Sequence, residues 1–265
     1  MSTCSYEARR YGGVHSGMPI SRAFDLCPHG VYLPVDHAFY TGVSEGIMAI
    51  LSRHAGRIEQ MSIDEAYLDV SDAGSFAEAG ALAAAIKREV REETGLTCSV
   101  GVAPGKAVAK IASDYQKPDG LTVVRPDEVA GFLAPPLPVG KIPPGIGKKT
   151  GEDLRQMGIL TIGDLARRDV QGGIVARLGG RSGVRVHRLA RGIDDGEVQG
   201  GRGANPSPGR RRSKRIPPTR RSSRGGPSPN LRTTSPGRSV PRTSGAAPSR
   251  SRSGTAAFRR IPGPG

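Results

Sequence analysis

A break in composition near residue 200 decides how much of this 265-residue chain can build a core. Residues 201–265 contain 15 Arg and one Lys but no Asp or Glu, a charge of +16. The preceding 200 residues therefore carry −1 of the total +15, and the basic character of the chain resides in its tail. From Gly196 onward Arg, Pro, Ser and Gly dominate, and Ile216, Leu231, Val240, Phe258 and Ile261 are almost the only large apolar residues. Such a stretch buries too little surface to offset its chain entropy, so disorder is expected there. Folding is expected within the first 195 residues.

That part reads in two halves. From Val31 to Val124 short strand-like runs alternate with longer helix-like ones, the pattern of an α/β or α+β domain. Strands are predicted over Arg57–Met61 and Ala66–Val70, a helix over Ser75–Glu93 with Leu82, Ile86 and Val90 on one face, and a strand over Thr97–Val102. A helix over Lys106–Tyr115 and a strand over Leu121–Val124 follow, separated by the Pro118-Asp119-Gly120 turn. After Pro135-Pro136 the chain changes to short helices punctuated by Gly, one predicted over Lys148–Met157 and another from about Thr161. This reads as a small helical domain ending near Asp195.

Cys4, Cys27 and Cys98 stand far apart with no CxxC or Cys/His spacing, which argues against a zinc site or a disulfide framework. No apolar run approaches the ~20 residues that span a bilayer. A soluble cytoplasmic protein, without a membrane partner, is expected.

The stretch richest in chemistry is Ser62-Ile63-Asp64-Glu65-Ala66-Tyr67-Leu68-Asp69-Val70. Two consecutive carboxylates in a strand point to opposite faces, which would send one toward the core. A bend in the backbone and a bound divalent cation would relieve that conflict. Oxygen-only ligands suit Mg²⁺, which keeps several waters and shares phosphate oxygens of a substrate. The alternative is a solvated turn between two strands.

Further motifs accompany it: Ser5-Tyr6-Glu7-Ala8-Arg9, Gly17-Met18-Pro19-Ile20, Ser99-Val100-Gly101-Val102-Ala103, Lys110-Ile111-Ala112-Ser113-Asp114 and Lys117-Pro118-Asp119-Gly120. With the Asp64-Glu65 run, and in this order over about three quarters of the chain, they resemble the Y-family translesion DNA polymerases of the DNA polymerase IV type. The resemblance implies an α+β fold: a fingers segment over 1–30, a ferredoxin-like palm over 31–134, and an all-α helix-hairpin-helix thumb over 135–195. It implies that Asp64 and Glu65 are catalytic, metal-holding carboxylates for two Mg²⁺ ions, and that Tyr6, Arg9 and Lys117 contact the incoming triphosphate. Arg offers a planar fork, Lys a point charge and Tyr a neutral donor to phosphate oxygens. Taken alone, Tyr6-Glu7-Ala8-Arg9 is also an ordinary helical segment.

Gly145-Ile146-Gly147 before a helix resembles a hairpin whose glycines let backbone N–H groups approach a DNA phosphate, with Lys148 and Lys149 beside it. A plain tight turn is the other reading. The implied partners are primer–template DNA and deoxynucleoside triphosphates, a sliding clamp is a further candidate, and a monomer is expected.

The chain departs from the family pattern at both ends. No Asp precedes Asp25, so the first palm strand, with the family's first catalytic carboxylate and its ribonucleotide-excluding aromatic residue, is expected to be missing. Residues 196–265 stand where a little-finger domain is expected; a frameshifted reading of a GC-rich gene and a genuine basic tail both give such composition. The expectation is a translesion DNA polymerase by descent, inactive as this fragment. The alternatives are a non-catalytic DNA-binding protein using the hairpin and basic tail, or a pseudogene product.

Overall fold

The computed structural model describes residues 1–143, 146–169 and 173–200, together with the backbone of 253–259. Contacts divide the chain into two units, and every described residue lies in the first, 1–204 with 250–265; the second, 205–249, lies outside the described residues.

The N-terminal segment holds α1 (Tyr6–Arg10), capped by the Ser5 hydroxyl accepting from the Ala8 N–H at 3.2 Å, and α2 (Ile20–Leu26), which starts after Pro19. Val14, Met18, Ala23 and Cys27 form a small core of their own. The Tyr32 hydroxyl ties this segment off, lying 2.8 Å from the Ala23 carbonyl and 2.9 Å from that of Cys27.

α3 (His37–Ser52) then leads into β1 (Ile58–Gln60) and β2 (Glu65–Asp69), an antiparallel pair with Gln60 opposite Ala66. α4 (Phe76–Thr94) opens on a Ser75 cap and closes on Gly95 at φ 67°, the left-handed region where a side chain is costly. Its buried residues Ala79, Ala83, Ile86 and Val90 recur at helical spacing; Leu82, expected on this face, is only partly buried at its flank. Ala66, Leu68 and Val70 from β2 and Cys98, Val100 and Val102 from β3 (Thr97–Ala103) meet them in one apolar cluster.

β3 has six of its seven residues buried because its other face is covered as well. There α5 (Lys106–Tyr115) lies directly against the strand, and then leads to β4 (Leu121–Val123), parallel to β3. A Cβ on Gly101 would stand 2.1 Å from the Ala109 carbonyl oxygen and 2.4 Å from the Ser113 nitrogen, so helix and strand backbones touch where only a hydrogen fits. The outer side of α5, with Ala107, Val108 and Ile111, shares its core with the helical segment that follows. That segment contains α6 (Val129–Leu133), α7 (Lys148–Gln156), α8 (Ile162–Arg167), α9 (Val175–Leu178) and α10 (Gly180–Ala190). Leu154, Ile159, Ile162, Leu165 and Ile174 are buried at its centre.

Two findings correct the expectation of disorder through 196–265. Gly196–Gly200 run alongside β1 and α5, with Val198 buried at 3% exposure and the Gln199 N–H donating to Glu59 at 2.8 Å. Ser253–Arg259 form β5, the middle strand of a five-stranded sheet ordered β1-β2-β5-β3-β4, parallel to both neighbours. Composition signalled disorder by counting apolar side chains, whereas a slot between two parallel strands offers two rows of backbone donors and acceptors to any extended segment. The rest of that expectation, over 201–252 and 260–265, lies outside the described residues. Fold class is mixed α/β, and no helix among the described residues is long and apolar enough to cross a membrane.

The Gly101 contact yields a paired stability test. Gly101→Ala is expected to cost at least about 2 kcal/mol, because two backbones must separate. Gly46→Ala, mid-helix in α3 with nothing within 4 Å of the new methyl, is expected to gain about 0.5–1 kcal/mol. Chemical denaturation of both variants checks the contrast.

Candidate active site

The turn between β1 and β2 carries the paired carboxylates. The Met61 and Ser62 N–H groups both donate to the Glu65 carbonyl, at 2.9 and 3.2 Å, so the chain doubles back immediately before β2. This shortens the strand expected over 57–61 and leaves Asp64 exposed in the bend. The Ser62 hydroxyl donates to Asp64 Oδ1 at 2.6 Å, and the Asp64 N–H donates back to Ser62 Oγ at 3.3 Å. Glu65 is the first residue of β2. The bend thus resolves the conflict that two carboxylates in one strand would face: one stays in the turn and the other opens the strand.

Alternation along β2 sends Ala66 and Leu68 into the core and leaves Glu65 and Tyr67 on the α5 side. From α5, Lys110 Nζ lies 2.5 Å from Glu65 Oε1, and Lys106 Nζ lies 2.7 Å from Glu59 Oε2 and 5.3 Å from the centre of the Tyr67 ring. Burial pushes the Tyr67 hydroxyl well above the usual tyrosine range, and Glu65, Asp194, Glu59 and Asp114 push it further. This is an acid-rich surface whose charge is offset by two lysines one helical turn apart.

Asp114, the next α5 residue in that row, accepts an ion pair from Lys117 at 2.6 Å, and its same Oδ1 stands 3.8 Å from Lys110 Nζ. Glu65, Lys110, Asp114 and Lys117 therefore form a continuous line of alternating charge. The N-terminus of α5 is completed from a distance: Asp194 Oδ2 accepts from the Ala107 N–H at 2.9 Å, and its other oxygen accepts from the Gly196 N–H at 3.0 Å. A carboxylate there satisfies an N–H left without a helical partner and faces the positive end of the helix dipole.

The other expected site residues lie on other elements. Tyr6 and Arg9 share α1, with the Arg9 guanidinium 5.2 Å from the Tyr6 ring centre and within 3.4 Å of the Ser16 hydroxyl. Gly147 is the extended residue preceding α7, Ile146 packs on the helical core, and Lys149 is exposed in the first turn of α7. Gly145 and the Lys148 side chain lie outside the described residues.

Residues 1–114 match the impB/mucB/samB family. Over 203 residues the chain is 86% identical to a DNA polymerase IV of Methanoculleus marisnigri, a match covering 77% of this chain and 55% of the relative. It is 52% identical over 199 residues to DNA polymerase IV 2 of Methanosarcina mazei, covering 75% and 53%. Among solved structures it resembles a DinB-family error-prone DNA polymerase from Sulfolobus solfataricus, with a TM-score of 0.67, 38% identity, and coverage of 74% of this chain and 59% of that one. Over this span the chain is similar to the Y-family DNA polymerases. It spans about half the length of the curated relatives it matches.

Of these residues, Asp64, Glu65 and Lys117 were expected at the site from the sequence, whereas Lys110 and Asp114 stood out only as part of a motif. Their partnership was signalled by Lys106, Lys110 and Asp114 recurring every four residues on one predicted helix, which places them on one face. Nothing local signalled Asp194 as a partner of α5.

Asp194→Ala is expected to lower stability by about 1 kcal/mol through loss of the cap. Hydrogen exchange should quicken selectively at the first-turn amides of α5, and Asp194→Asn, which keeps an acceptor, should lose less.

Proposed function

We propose that this chain derives from, and is built for, template-directed transfer of a nucleotide to a primer end in the damage-bypass manner of DNA polymerase IV. The observation that carries this reading is the pair Asp64 and Glu65 at the exposed entrance to β2, on the edge that also holds Lys110, Asp114 and Lys117. In this assignment 1–30 are the fingers, 31–134 a ferredoxin-like palm and 135–195 the helix-hairpin-helix thumb.

The donor chemistry fits Mg²⁺. Both side chains offer oxygen alone, and Glu65 already holds a cation, the Lys110 ammonium, at 2.5 Å. Among the described residues no three His, Cys, Asp or Glu side chains gather into a metal group, and the ligands assigned here number two, Asp64 and Glu65. That number suits an ion completed by substrate phosphates and water. When bound, divalent cations activate the primer hydroxyl and stabilise the departing pyrophosphate. The chain's own residues hold the reactants: Asp64 and Glu65 fix the cation site, Lys117 and Arg9 neutralise triphosphate oxygens, and Tyr6 donates a hydrogen bond to them. Gly147, with Ile146 before it and Lys149 after it, presents backbone N–H groups and charge to a DNA phosphate.

A second reading, DNA binding without synthesis, is favoured by β5. Thr255 stands opposite Glu65 in the register, and Ser253–Arg259 contains no acidic residue, so the strand bonded beside the site adds no carboxylate. We therefore assign the chain as it stands a capacity to bind primer–template DNA with extension below detection.

Primer extension and DNA binding test both parts. Affinity for primer–template DNA is expected to fall steeply between low and moderate salt, as counterion release requires. Asp64→Ala should leave that affinity unchanged and remove any Mg²⁺-dependent incorporation. Incorporation that survives Asp64→Ala would remove the carboxylate pair from the mechanism.

A further inference from the structure

We propose that Asp114 couples the two halves of the site, so that a divalent cation arriving at Glu65 releases Lys117 for an anionic substrate. The inference rests on the assignment of Asp64 and Glu65 as the cation site, and concerns how that site communicates with its neighbour.

The geometry is a chain of shared partners. Lys110 Nζ stands between two carboxylates, 2.5 Å from Glu65 and 3.8 Å from Asp114 Oδ1. That same Asp114 oxygen holds Lys117 at 2.6 Å. Lys110 and Asp114 lie four residues apart on α5, on one face, so the Lys110 ammonium reaches Asp114 by side-chain rotation with no change in the helix. All four side chains are partly screened from water, Lys110 at 19% exposure, Lys117 at 25%, Asp114 at 28% and Glu65 at 38%, so a displaced charge seeks a nearby partner as well as solvent.

Charge balance then gives the direction. A divalent cation on Glu65 competes with the Lys110 ammonium for one carboxylate and repels it. Asp114 is the adjacent acceptor. Once Lys110 closes on Asp114, a single carboxylate faces two ammonium groups, and the Lys117 pair is weakened by both competition and like-charge repulsion. Lys117 is then available to an anion such as a triphosphate. With no cation present, Asp114 keeps Lys117 occupied and disfavours nucleotide binding out of order. Coupling of this kind is reciprocal, so an anion that draws Lys117 away also eases Lys110 off Glu65 and favours the cation. Asp114 is thus a positioning residue acting through two lysines.

The test uses metal ions alone on the full chain. Mn²⁺ binding is followed by electron paramagnetic resonance of the unbound ion. In parallel, the labelling rate of Lys117 by an amine-reactive reagent is read by mass spectrometry with and without Mg²⁺, with exposed Lys149 as internal reference. The expected result is Mn²⁺ binding that Asp64→Ala weakens, and Mg²⁺-dependent acceleration of Lys117 labelling by about twofold to fivefold, the range that losing a partly exposed ion pair permits. Lys110→Met should abolish the acceleration while leaving Mn²⁺ bound, and Asp114→Asn should make Lys117 equally reactive with and without Mg²⁺. Mn²⁺ binding dependent on Asp64 with Lys117 labelling indifferent to Mg²⁺ would overturn the coupling and leave the cation site standing. Absence of any Asp64-dependent binding would overturn both. Circular dichroism of each variant confirms that the fold is retained.

Discussion

The backbone contact between α5 and β3 at Gly101 sets the geometry on which the rest of the site depends. With no side chain between them, helix and strand approach until the Gly101 hydrogen meets the Ala109 carbonyl and the Ser113 amide. That distance fixes how far the α5 lysines reach across the sheet. Lys106 and Lys110 arrive at the carboxylates of β1 and β2 because α5 lies this low on the sheet. A helix standing at the usual side-chain-filled separation would leave both pairs stretched toward water.

Around that contact the molecule concentrates charge. Glu59, Glu65, Asp114 and Asp194 surround Tyr67, and Lys106 and Lys110 offset part of their field. These groups are only partly screened, so individual pairs contribute modestly to stability and their arrangement matters more than their sum. A surface of this kind, rich in carboxylates and held together by movable ammonium groups, accepts an added cation with little rearrangement of backbone. The N-terminal segment and the helical segment contribute differently, the first through a small self-contained core and the second through a core shared with α5.

Much of this was readable from local pattern. The helix over 106–115 is where periodicity puts it, α4 ends at the glycine that signalled its end, and the bend at Asp64-Glu65 follows from two carboxylates that cannot both lie in one apolar strand. The strand expected over 57–61 stops at Gln60 because the Met61 N–H turns back to the Glu65 carbonyl, a choice made by the turn rather than by strand propensity. Pairing across long sequence separations left no such trace. β5 is built from Ser-Gly-Thr-Ala-Ala-Phe-Arg, without apolar alternation, and finds its place through backbone bonding to strands far upstream. Lys110 and Asp114 were visible as charges on one helix face, but the sharing of Asp114 Oδ1 between Lys110 and Lys117 is a matter of rotamers and packing that sequence does not encode locally.

The carboxylate of Asp194 reaches the start of α5 across 87 residues of chain. During synthesis, the helix bearing the site's lysines is therefore made long before the group that finishes its first turn, and it acquires that group only after the whole helical segment has been laid down. The sheet and the helical segment are in this sense not interchangeable modules. Transplanting the helical segment of a relative onto this sheet would preserve the site only if the graft delivered an acceptor to the Ala107 amide, and a proteolytic nick just beyond α10 would be felt at Lys106 and Lys110 although it touched neither.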